Sequence, residues 1–156
     1  MKLFGFASGL ALLASVGGLE GEGAPSWPQF RGPNGQGVAE QDRPPTEFGP
    51  GTNLLWKAEM PRGVSSPCVW GDQIFLTAFS PGKLETLALD RRDGRVRWQR
   101  VAPVEKIHRT SESSSPAAAP PATDGKRLYV YLASFGLLAY GLDGRELLRK
   151  PKPAPN

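Results

Sequence analysis

Hydrophobic positions along this 156-residue chain fall into short runs separated by glycine, proline and aspartate, not into the three- and four-residue spacing of amphipathic helices. Residues 73–79 (Gln-Ile-Phe-Leu-Thr-Ala-Phe) and 128–133 (Leu-Tyr-Val-Tyr-Leu-Ala) are almost continuously apolar over a strand's length. Strands of that kind are expected to be covered on both faces. A third run, 84–90, leads into Asp93-Gly94, a dipeptide suited to a hairpin turn because both residues tolerate positive φ. Beyond that turn Arg95, Arg97 and Gln99 alternate with Val96 and Trp98. This predicts an outer strand with one wet face and one face carrying the tryptophan. The fold class expected is all-β.

Internal similarity sharpens that expectation. The segment 66–77 resembles Ser115-Pro116 followed by 121–131, and 87–98 corresponds to 138–148. The Asp-Gly pairs at 93–94 and 143–144 lie 50 residues apart, a spacing typical of repeat architectures. Asn53-Leu54-Leu55-Trp56-Lys57 looks like an isolated copy of the segment ending at Trp98-Gln99. Four short antiparallel strands per unit, the middle ones buried, predict β-propeller blades. The chain therefore divides into a leader (1–23), an N-terminal segment with a closing strand (24–60), a blade (61–104), a second, degenerate blade (105–150) and a tail or truncated next unit (151–156). The Ser-, Ala- and Pro-rich stretch 111–122 reads by composition as a linker and by alignment, in part, as the innermost strand of the second unit.

Ala88, Asp90, Gly94 and Trp98 fit the pattern Ala-x-Asp-x-x-x-Gly-x-x-x-Trp at every spacing. On these residues the chain resembles the pyrroloquinoline-quinone-like repeat, the blade unit of quinoprotein dehydrogenases and of many non-catalytic exported propellers. The second unit keeps Ala139 and Gly144, but is one residue shorter, with Gly141 for the aspartate and Leu148 for the tryptophan. In the pattern the aspartate is expected to fix the turn by accepting backbone hydrogen bonds, the glycine to supply positive φ and the tryptophan to wedge against the next blade. The marks of kelch and tryptophan-aspartate repeats are absent. Residues 27–37 (Trp-Pro-Gln-Phe-Arg-Gly-Pro-Asn-Gly-Gln-Gly) also resemble the opening segment of exported bacterial proteins of this class, where it leads into a strand completing the final blade. Here that strand would be 54–59, carrying Trp56. The resemblance implies an incomplete ring of two blades plus one closing strand, the N-terminal fragment of a longer propeller.

Two functions follow from the resemblance: a non-catalytic binding or assembly scaffold, and, as the alternative, the N-terminal part of a quinoprotein dehydrogenase using pyrroloquinoline quinone with calcium. In those dehydrogenases the cofactor site draws acidic and amide residues, commonly with an adjacent cysteine pair, from many blades. No such constellation is identifiable here, so no cofactor is expected, and the resemblance bears on fold alone.

Composition narrows the chemistry further. Cys68 is the single cysteine and His108 the single histidine, which excludes an intramolecular disulfide, cysteine-cluster metal sites and zinc sites needing two or more imidazoles. The net charge is +4 and the isoelectric point near 9.5. The charges are interspersed and accompany no nucleic-acid-binding motif, so nucleic acid is not an expected partner. Met1-Lys2 followed by the apolar run 3–14 reads as a signal peptide, too short for a bilayer span, with a buried N-terminal segment as the competing reading. The protein is thus expected to be exported, periplasmic or extracellular, without a membrane span after cleavage; self-association is expected if the chain is complete. His108, Arg109, Glu105 and Ser111 to Ser115 form the one group able to assemble a nucleophile and base, but no third orienting residue is evident and no catalytic residue is assigned. The glycine-rich 32–37 lacks a preceding strand and a Lys-Ser/Thr ending, so it reads as a turn. The five arginines between Arg91 and Arg100 read as a solvated outer strand and hairpin, and Cys68 as a buried, inert thiol.

Overall fold

The structure, a computed structural model, describes residues 26–39, 43–111 and 114–153; the signal-peptide reading of 1–23 lies outside them. The described residues form two antiparallel sheets and no α-helix. The first sheet contains β1 (Ser26–Trp27), β2 (Cys68–Trp70), β3 (Gln73–Ser80), β4 (Lys83–Asp90) and β5 (Val96–Val101), in chain order. The second contains β6 (Ala122–Thr123), β7 (Arg127–Leu132), β8 (Gly136–Gly141) and β9 (Glu146–Pro151), also in chain order.

The two sheets have closely matching registers. Phe75, Ala88 and Trp98 align across β3, β4 and β5, and Tyr129, Ala139 and Leu148 across β7, β8 and β9. Each outer strand carries an irregularity just beyond this row, between Ala88 and Leu89 and between Ala139 and Tyr140. It leaves Arg97 and Leu147 as the extra residues. This bulge interrupts the alternation expected for β5: Trp98 is its single buried residue, and Val96 is exposed.

Period-two alternation divides the apolar residues of the middle strands between two layers. Phe75, Leu84, Ala88 and Trp98 of the first sheet pack with Leu128, Val130, Leu132, Leu138 and Tyr140 of the second in the main core. On the far side of the first sheet Ala78, Leu87 and Leu89 form a smaller cluster, packed with Met60, Ile74 and Leu76. The expectation of cover on both faces therefore holds for β4, buried along all but its first residue. It fails for β7: Tyr131 on the outer face is 49% exposed, since no third layer lies over that face among the described residues.

Residues 54–59 carry no strand pairing; the final blade that they are expected to complete is not among the described sheets. Trp56 alone anchors the segment, its indole Nε1 donating to the Arg91 carbonyl at 2.8 Å. Ser26–Trp27 forms the edge strand of the first sheet, on β2. Among the described residues of the stretch 111–122, Ala122 alone enters a strand, the first of the second sheet. Residues 33–35 form a short 3₁₀ turn, as expected for 32–37.

Candidate functional site

The turn of the first unit is built as its residue types dictate. The Gly94 amide donates to the Asp90 carbonyl at 2.8 Å, and the Arg92 amide to Asp90 Oδ1 at 2.9 Å. Gly94 has φ +72°, where a β-carbon would be strained. The Asp90 carboxylate also accepts from the Arg92 and Arg97 guanidiniums, the latter at 2.7 Å, and Arg97 reaches on to Asp72. These hydrogen bonds, Arg92 first and then Arg97, hold the Asp90 carboxyl well below the usual carboxylate range. Two guanidiniums and one backbone amide thus already occupy this carboxylate, which gives it a structural role.

In the second unit the turn is one residue tighter, Gly144 N donating to Gly141 O at 2.9 Å. A β-carbon on Gly141 would lie 2.5 Å from Asp143 Oδ1, which accepts the Arg145 amide at 3.0 Å. The shorter turn therefore places the Asp143 carboxylate where an aspartate at 141 would begin.

The tryptophans join these turns to the element before them. Trp98 lies against Gly144 (φ +82°), with its Nε1 donating to the Leu142 carbonyl at 2.8 Å. Trp56 lies against Gly94 and donates to Arg91 in the same manner. A β-carbon at either glycine would fall 2.6 to 2.7 Å from the indole ring, so glycine is required there for contact as well as for backbone conformation. Trp70 sits likewise over Gly125 in the turn between β6 and β7. The Trp98 ring also contacts Phe75 at 6.0 Å and Tyr140 at 5.8 Å between centroids. Ala88 and Ala139 are the small residues beneath these rows, both buried.

Of the residues weighed for chemistry, Cys68 is fully buried, and burial pushes its thiol up to about 12, which keeps it protonated and inert. Among the described residues no cluster of three or more His, Cys, Asp or Glu could hold a metal ion. His108, Arg109, Glu105 and the described serines Ser111, Ser114 and Ser115 do come together, lining an open cleft of about 760 Å³. The His108 imidazole makes no hydrogen bond to a serine hydroxyl among the described residues; its backbone amide donates to Ser134 Oγ at 3.0 Å. The cleft's opposite wall, Arg62 to Val64, was not singled out from sequence. It is placed there by a bridge to β3, with Phe79 N donating to Arg62 O at 2.6 Å, and by Ser65 Oγ exchanging hydrogen bonds with the Thr77 backbone. No protein-family model and no curated protein matches this chain.

Proposed function

We propose that this chain is part of an exported, propeller-type repeat protein that acts as a non-catalytic binding or assembly scaffold. The observation that carries the reading is the repeated seating of a tryptophan on the turn glycine of the next unit, Trp56 on Gly94 and Trp98 on Gly144. A docking device used twice in the same direction is what a chain of similar sheets needs in order to stack. The matching rows support it further. Phe75, Ala88 and Trp98 cover the second sheet, whereas their counterparts Tyr129, Ala139 and Leu148 lie on that sheet's opposite face, where Leu148 is 43% exposed. The scaffold reading assigns that face to a further sheet of the same build. The one charged carboxylate at a pattern position, Asp90, is consumed by its own turn and adjacent arginines, which favours a structural over a catalytic use.

The test is to incubate the full protein with pyrroloquinoline quinone and calcium and to separate it by gel filtration. The scaffold reading expects no quinone absorbance to travel with the protein. Stoichiometric retention together with dye-linked alcohol oxidation would replace it by the dehydrogenase alternative.

A further inference from the structure

The cleft beside the β3–β4 turn is formed by three stretches of chain that the fold holds separately. Arg62 and Val64 come from the extended segment bonded along β3, Phe79 from β3 itself, and His108, Arg109 and Ser115 from the connection between the sheets. Each wall is fixed by backbone hydrogen bonds: Phe79 to Arg62, His108 to Ser134, and Ala117 to the Ser115 hydroxyl oxygen at 3.1 Å. The last of these uses Ser115 Oγ as an acceptor, and the hydroxyl of this lining residue keeps a proton to donate. Arg62 and Arg109 form no ion pair with any described residue. Among the described residues two arginines and one carboxylate, Glu105, line the cleft, a balance that favours an anion. Its volume lies within the roughly 300 to 1,000 Å³ typical of small-molecule sites.

The mixture of groups narrows the ligand. Guanidiniums bind carboxylates through paired, charge-assisted hydrogen bonds. Hydroxyl and imidazole groups match ligand hydroxyls, and the half-buried Phe79 ring with Val64 offers an apolar surface for a ring's C–H face. We propose that this cleft binds a small hydroxylated carboxylate, of which a hexuronate is the simplest representative, with Arg62 and Arg109 holding the carboxylate and Ser115 a ring hydroxyl.

Calorimetric titration and ligand-observed NMR of the full chain with glucuronate, glucose and inorganic phosphate test this. Glucuronate is expected to bind at least tenfold more tightly than either of the others, because glucose lacks the charge and phosphate lacks the ring. Arg62→Gln and Arg109→Gln are each expected to weaken glucuronate about tenfold or more, the loss of a charge-assisted contact, while the thermal unfolding midpoint stays unchanged. Arg145→Gln, in the exposed turn after Gly144, serves as the control and is expected to bind as the parent does. Glucose or phosphate binding as tightly as glucuronate would overturn the assignment. So would equal weakening by the control, or the absence of glucuronate binding at about tenfold above the millimolar range typical of weak sites.

Discussion

Replacing Trp98 by alanine removes a side chain that bridges the two sheets. The side chain is 9% exposed, touches Phe75 and Tyr140, covers Gly144 and supplies the donor for the Leu142 carbonyl. Truncating a buried tryptophan to alanine costs about 3 to 5 kcal/mol, the spread reflecting how far the cavity collapses. Here collapse is restricted, because the ring lies between two hydrogen-bonded ladders that cannot approach without breaking register. The upper half of that range is therefore expected. Against a total stability of about 5 to 15 kcal/mol for a domain, this is about a quarter or more. Urea unfolding followed by far-ultraviolet circular dichroism reads it directly. With a slope of about 2 kcal/mol per molar, the midpoint should fall by about 2 M. Trp98→Phe keeps most of the ring contact but loses the indole donor, and should cost about 1 to 2 kcal/mol. A loss below about 1 kcal/mol for the alanine variant would refute the view that this residue fastens one sheet to the other.

Gly144→Ala should destabilise by about 1 to 3 kcal/mol, since its φ of +82° strains alanine and the new methyl meets the Trp98 ring; Gly82→Ala, at φ +75° with open space around it, should cost only the backbone part. Thermal melts of the pair separate the two contributions. Thr77→Val leaves the Ala117 and Ala119 carbonyls without the hydroxyl they share and should cost about 1 to 3 kcal/mol, again read by urea. The Asp90 carboxyl is held below its unfolded value near 3.9, so its contribution is fully present above about pH 4 and is lost as the pH falls through the window beneath. Asp90→Asn should flatten that acid limb of the stability curve, and an unchanged limb would show the arginine contacts to be without effect. The Cys68 thiol should resist a disulfide exchange reagent at pH 8 in the folded protein and react fully in urea; fast reaction of the native chain would contradict its burial.

Strands β3 and β7 were legible in sequence as nearly unbroken apolar runs of strand length, and β4 as the run leading into the Asp93-Gly94 turn. The turn at Asp93-Gly94 was legible for the same local reason: few residue types fit its dihedral angles. The bulges were not, since an extra residue in an exposed outer strand changes no local propensity and shows only in the pairing. The strand at 54–59 was read from its likeness to the segment around Trp98, but a strand needs a neighbour's backbone, and only the tryptophan finds a partner there. Ser26–Trp27 escaped notice because two residues before a proline carry no periodic signal. The cleft was half legible. His108 and the serines stood out as reactive types, whereas Arg62 joins them only because residues 62–65 lie along β3, a long-range contact no local pattern announces.

The tight second turn has a consequence for how this chain can change over generations. Its missing residue and its Gly141 are one state, not two independent losses, because the Asp143 carboxylate fills the space an aspartate at 141 would require and is itself engaged by the Arg145 amide. Gly141→Asp in the shorter turn would drive two carboxylates together, whereas the longer turn of the first unit holds both, Asp90 at its start and Asp93 on the Arg95 amide at 3.0 Å. The step back to aspartate is thus disfavoured until the turn has lengthened, so the two changes have an order that similarity of sequence by itself would not reveal.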